Sequence, residues 1–246
     1  MIFDRNENKE VIALLGAGSM GTAIARRFAA GRIVLLGDIS EKNLERVSNE
    51  LKYSGYTVET YVVNALEKKS VEAFAEKAAS LGPVKYFIDT AGASPNQSSP
   101  EHIMMLDGVG TGYALDAFGK VMAAGGAGLV ISSQTGYAYI IAKRINHLQA
   151  QKIAATTWKE RRARINTLSP GVIVTPLAYD EFAAAGDNYQ KMIDASAAMR
   201  TGSSDEIAEA GAFLLGEHAG FINGTDLLID GGTIAAIRTG AYTLGA

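Results

Sequence analysis

The stretch VIALLGAGSMGTAIARRFAA, residues 11–30, decides how this chain is built. VIALL (11–15) is a short run of β-branched and Leu residues and reads as a strand. GSMGTAIARRFAA (18–30) takes helical spacing, with Met20, Ile24, Ala25 and Phe28 on one face. Between them GAGSMG (16–21) fits G-x-G-x-x-G. In that strand–turn–helix context the motif predicts a seat for a dinucleotide pyrophosphate. Gly16 permits the tight turn, Gly18 lets the backbone approach the phosphates, and Gly21 lets the helix pack close to the strand. The helix start at Ser19 and Met20 offers unpaired N–H groups and a positive dipole end.

Reading outward, IVLLG (33–37) is the next strand, and Asp38 ends it 17 residues after Gly21. A carboxylate there accepts hydrogen bonds from both ribose hydroxyls of NAD and repels the 2′-phosphate of NADP, so NAD is the expected cofactor. Arg26, Arg27 and Arg32 read as solvated helix and loop charges. The alternation continues with a helix over 41–52, a strand over 57–63, a helix over 71–82 and a strand over 84–91. Ser99-Pro100-Glu101 is an N-cap followed by proline at the first helical position, opening a long helix to about Ala124. A strand over 127–133, a helix from Tyr139 to Lys159 and a strand over 163–169 come next. The segment 177–200 is weakly helical and reads as a substrate lid, with Leu177, Tyr179, Phe182 and Met192 as apolar contacts. A helix over 205–215 and a strand over 225–230 close the pattern. Strand–helix alternation with continuously apolar strands predicts a single domain over 1–246 built on a parallel α/β sheet. About seven strands are expected, with helices on both faces.

Composition narrows the function. The chain has 246 residues, 48% hydrophobic and 20% charged, which excludes collagen-like and disordered classes. The absence of cysteine excludes disulfides, thiolate nucleophiles and Cys-ligated zinc. His102, His147 and His218 share no metal-ligand spacing, so no metal is expected. A net charge of −3 argues against nucleic acid as a partner. The charged start MIFDRNENKE does not read as a signal peptide. The uncharged stretch Val121–Ala142 contains GGAG and SSQTG, turn and loop signals that argue against a membrane span. The expected location is cytoplasmic. Arg161-Arg162 reads as a helix-closing pair.

Six landmarks in one order resemble the short-chain dehydrogenase/reductase family. The glycine turn is followed by DTAG (89–92), similar to that family's N-N-A-G. Ser132-Ser133 closes a strand, and Tyr139-Ile140-Ile141-Ala142-Lys143 matches Y-x-x-x-K. RINTLSPGVIVTP (164–176) and GTDLLIDGG (224–232) resemble two further family signatures. The tail DGGTIAAIR resembles bacterial 3α-hydroxysteroid dehydrogenase/carbonyl reductases. The resemblance implies a Rossmann-type, doubly wound, seven-stranded parallel sheet and an NAD(P)-dependent oxidoreductase interconverting a secondary alcohol and a ketone. Its partner would be a small alcohol or ketone, in a homotetramer or homodimer.

The roles it implies fall residue by residue. Tyr139 is the general acid/base. Lys143 lowers its pKa and holds the nicotinamide ribose, and Ser133 hydrogen-bonds the substrate oxygen. Asn64 stands near the adenine. Ala91 and Gly92 present backbone to the adenosine ribose. Pro170, Gly171, Val172 and Thr175 line the nicotinamide. Arg200 in MRTG is structural. Spacing supports the pair, because residues four apart share a helix face and an ammonium beside a phenol favours the phenolate.

Three features depart from the family pattern. The glycine turn is one residue shorter than usual. Asp107 in LDGVGT (106–111) replaces a helix Asn that helps hold a proton-relay water, a task a carboxylate performs with a charge. Ser133 and Tyr139 are six residues apart, about half the usual spacing, as though a substrate loop between about Gly136 and Ala138 were absent. Two alternatives therefore stand beside the oxidoreductase reading. One is a non-catalytic dinucleotide-binding sensor or scaffold with a degraded site. The other is an epimerase or dehydratase.

Overall fold

The computed structural model describes residues 9–93, 98–133, 137–176, 178–179, 182 and 187–243, with the backbone alone for 137–140 and 188. The strands are β1 (Val11–Leu15), β2 (Ile33–Asp38), β3 (Thr57–Val62), β4 (Val84–Asp89), β5 (Met122–Ile131), β6 (Arg164–Pro170), β7 (Ile173–Val174), β8 (Gly202–Ser203) and β9 (Asp226–Ile229). The α-helices are α1 (Ser19–Arg26), α2 (Glu41–Tyr53), α3 (Lys68–Leu81), α4 (Pro100–Ile103), α5 (Thr111–Val121), α6 (Tyr137–Ala155), α7 (Thr157–Glu160), α8 (Asp187–Ala195), α9 (Ser204–Leu215) and α10 (Thr233–Arg238).

Seven strands pair in the order β3-β2-β1-β4-β5-β6-β9, all in parallel, and β7-β8 form a separate two-stranded ribbon. Parallel pairing needs helical crossovers that cover both faces, so every residue of β1 and nearly every residue of β2 is buried. Alternate residues feed two cores. Val11, Ala13 and Leu15 face Phe74, Phe118 and Trp158 under α3, α5 and α7. Ile12 and Leu14 face Ile24, Leu44 and Ile207 under α1, α2 and α9. Phe87 stacks on Phe118 at 3.9 Å, and the Trp158 indole N–H donates to the Leu115 carbonyl at 3.1 Å.

The chain order reverses between β1 and β4. Ligands of open α/β sheets bind beyond the carboxyl ends of the strands at such a point. Thr90 and Gly16 meet there: the Thr90 N–H donates to the Leu15 carbonyl, and its hydroxyl donates to that of Gly16 at 2.6 Å.

Several boundaries differ from the sequence-based expectation. The helix from Pro100 is not uniform. Its middle, Met104–Gly110, is a π-helix, and the helix ends at Val121. Strand β5 begins at Met122, five residues before the expected start, because Met122 pairs with Val84 before a register shift carries Ala127 opposite Tyr86. The helix from Tyr139 begins at Tyr137 and breaks at Thr156, where φ −122° and ψ −107° separate α6 from α7. Arg26, Arg27 and Arg32 are not simply solvated: they pair with Glu50, with Asp205 and Glu209, and with Glu10. Arg161 donates to the Lys120 carbonyl, and Arg200 pairs with Glu206.

Candidate active site

The glycine turn is built as its sequence demands. Gly16 has φ +83°, and a Cβ there would lie 2.6 Å from the Ala91 backbone nitrogen. A Cβ on Gly21 would lie 2.6 Å from Leu14 Cδ1 and 2.7 Å from Thr90 Oγ1. Gly18 is exposed and a Cβ there would meet nothing within 4 Å, so the turn keeps an open approach. Gly18 is also the N-cap of α1 and makes no side-chain cap bond, leaving the first-turn N–H groups directed outward. Ser19 is exposed, and Met20 packs partly against the core.

Asp38 at the end of β2 braces this turn. Its Oδ2 accepts from the Ala17 N–H at 3.0 Å and from Asn43 Nδ2 at 2.9 Å, and its Oδ1 accepts from the Ser40 N–H at 2.9 Å. A carboxylate fixed by three donors beside an open glycine turn fits the ribose of a dinucleotide, and the turn fits its pyrophosphate. Asn64 is occupied locally: its Oδ1 accepts from the Leu66 N–H and its amide donates to Glu67.

Beyond β4 and β5 lies a buried charge cluster. Lys143, one turn into α6 from Tyr139, is 4% exposed. Its Nζ lies 3.3 Å from Asp107 Oδ2 and 3.4 Å from the Ile131 carbonyl. Asp107 sits in the middle of the π-helix with 0% exposure, and its Oδ1 accepts from the Ala93 N–H at 2.9 Å. Such segments widen a helix by one residue and cluster at functional sites. Gly92 backs onto the pair: a Cβ there would be 3.2 Å from Asp107 Oδ1 and 3.4 Å from Lys143 Nζ. Ser132 Oγ donates to the Lys143 carbonyl at 3.0 Å, and Ser133 beside it is buried. Tyr139 lies on the first turn of α6, and its side chain is outside the described residues, as are residues 134–136.

A second carboxyl joins this cluster. Asp89 is the last residue of β4 and 1% exposed. Burial pushes its pKa up to about 7. The Ala91 N–H and the Lys143 charge pull it down, Asp107 pushes it up, and Thr111 pulls it down. Two carboxyls therefore share the field of one ammonium. Asp107 is its close partner, and Asp89 still holds a proton on the acid side of neutrality. The only sequence signal for Asp89 is an acid in DTAG where the family motif has an amide.

On the third side, Pro170 ends β6, and the Gly171 N–H donates to the Ile229 carbonyl at 2.9 Å. Val172 and Thr175 follow: the Val172 carbonyl accepts from Gly202, and Thr175 Oγ1 accepts from the Ala178 N–H at 3.1 Å. The turn at Gly16–Gly21, Asp38, Gly92, Ser133, Lys143 and Pro170–Gly171 thus all lie at the carboxyl ends of β1, β2, β4, β5 and β6.

The chain matches the family model described as enoyl-(acyl carrier protein) reductase over residues 16–233. It is 36% identical to short-chain dehydrogenase/reductase bsc3 of Alternaria brassicicola, over 93% of this chain and 97% of that protein. That alignment runs to 266 positions, so the relative carries segments that this chain lacks. It is 29% identical to galactitol 2-dehydrogenase (L-tagatose-forming) of Cereibacter sphaeroides, over 89% and 93% of the two chains. A short-chain dehydrogenase/reductase structure from Serratia marcescens superposes with a TM-score of 0.80 at 22% identity, covering 92% of this chain and 97% of that one, which is a likeness of fold. With the glycine turn at the switch point and the Y-x-x-x-K helix beside it, these matches identify the chain as an oxidoreductase of the short-chain dehydrogenase/reductase family.

Proposed function

We propose that this chain interconverts a secondary alcohol and a ketone by hydride transfer, with NAD as its dinucleotide and Tyr139 as general acid/base. One observation carries the reading. Lys143, four residues after Tyr139, is buried with its ammonium at the Ile131 carbonyl and against Gly92. Lysine is almost never fully buried unless paired; here the pair with Asp107 keeps the ammonium buried one helix turn from Tyr139.

The bound nicotinamide would supply the hydride acceptor, taking the carbinol hydrogen with its bonding pair. The chain's own groups manage the proton. A free phenol titrates near ~10, too high for a base at neutral pH. The Lys143 ammonium stabilises the phenolate, which accepts the substrate hydroxyl proton during oxidation and returns it during reduction. Ser133 donates to the substrate oxygen. Asp107, the nearest carboxylate to Nζ, holds the ammonium in place and offsets part of its field.

Gly16, Gly18, Ser19, Met20 and Gly21 would hold the pyrophosphate, and Asp38 the adenosine ribose. Asn64, Ala91 and Gly92 would line the adenosine, and Pro170, Gly171, Val172 and Thr175 the nicotinamide. NAD is favoured over NADP because Asp38 presents a carboxylate and the nearby arginines Arg26, Arg27 and Arg32 are engaged by other acids. The segment 177–200 would serve as a lid. A cavity of about 170 Å³ lies beneath its described part, lined by Val172, Ile193, Ser196, Ile229 and Thr233 among others. Exposed Met105, Val109, Ile141 and Leu148 along the π-helix and α6 favour a homodimer or homotetramer. Among the described residues no helix is long and apolar enough to cross a membrane.

One observation favours a second reading, a non-catalytic dinucleotide sensor: the ammonium that should activate the phenol has a carboxylate 3.3 Å away. NADH formation from polyols and cyclic secondary alcohols separates the two. Turnover that Tyr139→Phe abolishes with NADH binding retained supports the dehydrogenase. NADH binding by the wild type with no turnover on either alcohol class supports the sensor.

A further inference from the structure

On α6 the residues Tyr139, Lys143 and His147 recur every four positions and so form one stripe. The first two belong to the site proposed above, and this inference rests on that reading. The third has its own partners. His147 is 5% exposed, and its Nε2 lies 3.3 Å from Ser169 Oγ and 3.2 Å from Asp226 Oδ1. Ser169 immediately precedes Pro170 in β6, and Asp226 opens β9. Thr167 Oγ1 donates to Asp226 Oδ1 at 2.7 Å, and Ser169 Oγ reaches both carboxylate oxygens at 2.9 and 3.0 Å. One carboxylate thus gathers donors from α6 and β6 while standing on β9.

This arrangement is not a nucleophile triad. Ser169 and Asp226 both address the same imidazole nitrogen, so the ring is not relayed between them. Nor does packing require it. The buried faces of Ala142, Ala150 and Ile153 already seat α6, and without His147 the Asp226 carboxylate would keep its bonds from Thr167 and Ser169. What the cluster adds is direction. Ser132 Oγ pins the α6 backbone at Lys143 from the β5 side. His147 pins the next turn from the β6–β9 side. Two anchors on different strands resist rotation of the helix about its own axis. Rotation matters here because a misplacement of about 1 Å at a catalytic group can cost about 100-fold in rate.

We propose that His147, held by Asp226 and Ser169, is a positioning residue that sets the rotation of α6 and so the presentation of Lys143 and Tyr139 in the site proposed above. Two substitutions test it. His147→Leu fills the space without polar contacts, and His147→Gln keeps a donor near the Nε2 position. His147→Leu should lower kcat about tenfold or more, and His147→Gln should recover most of the loss. A second readout needs no turnover. In protein labelled with ¹³C at tyrosine Cζ, the resonance lost in Tyr139→Phe reports the phenol titration. His147→Leu should move that midpoint upward by about half a pH unit or more, and His147→Gln should not. An unchanged midpoint and an unchanged kcat in His147→Leu would overturn the clamp even if the wild type is a competent dehydrogenase. A wild type without turnover whose Tyr139 midpoint still moves in His147→Leu would instead overturn the assigned reaction and leave the clamp standing.

Discussion

Removing the two acids beside Lys143, singly and together, should give strongly non-additive losses of stability. Asp107 Oδ2 lies 3.3 Å from Lys143 Nζ in a site with 0% exposure at Asp107. At an effective dielectric constant of about 20, charges at that distance attract by about 5 kcal/mol before desolvation. Deleting one partner of an isolated buried pair typically costs about 3–5 kcal/mol, because an uncompensated charge is left behind. Here a substitute stands by. Asp89 is kept protonated chiefly by burial, and the charge on Asp107 also pushes its pKa up. In Asp107→Asn that repulsion disappears, so Asp89 ionises more readily and can take over as counter-charge to Lys143. At about pH 6 the expected cost of Asp107→Asn is therefore about 1–2 kcal/mol, and that of Asp89→Asn about 1 kcal/mol or less. The double variant leaves Lys143 with no acid and should lose about 4–5 kcal/mol, a coupling of about 2 kcal/mol. Denaturant unfolding of the dinucleotide-free protein at matched concentration reads all four corners of the cycle. Additivity within about 0.5 kcal/mol would refute the claim that the two carboxyls serve one ammonium.

The same group predicts a pH dependence. The folded-state pKa of Asp89, about 7, is above its ordinary 3.8, so the folded protein binds the extra proton. Its contribution is full below about pH 4 and is lost as pH rises through about 7, so the denaturant midpoint should fall between about pH 5 and pH 8, and Asp89→Asn should flatten that slope. Two glycine substitutions should part company. Gly16→Ala faces backbone at 2.6 Å with φ +83° and should destabilise the fold by about 2 kcal/mol or more. Gly18→Ala has open space around it and should unfold like wild type, yet bind NADH about tenfold or more weakly by fluorescence titration. Asp38→Ala should narrow the preference for NAD over NADP by about tenfold or more in kcat/KM and, by loosening Ala17, Ser40 and Asn43, lower the thermal midpoint by several degrees.

The fold was legible where spacing and local chemistry act together. The glycine turn, the apolar strands and the N-cap at Ser99 each report a local preference that tertiary packing then respects, whereas the caps at Ser40 and Ser203 emerge only in the structure. What escaped the sequence depends on pairing. Met104–Gly110 adopts a π-helix, a change of hydrogen-bond ladder that leaves no residue code. Met122–Gly126 reads as a helix end and turn, and becomes strand through its pairing with β4 around a bulge. Within the site, Tyr139, Lys143 and Ser133 stand out by motif. Asp89, Asp107 and Lys143 become one cluster only when α6 and the π-helix pack over β4, residues 54 apart in the chain. The Asp226–His147 contact is hidden in the same way, since neither residue belongs to a local pattern that names the other.

The central claim, that a tyrosine on α6 moves the proton while a dinucleotide takes the hydride, is tested most directly with an alcohol deuterated at its carbinol carbon. Wild type is expected to form deuterated NADH from NAD, with Tyr139→Phe binding NADH as tightly and forming none. Deuterium transfer undiminished in Tyr139→Phe, or wild type that binds NADH and transfers none from any secondary alcohol offered, would contradict it.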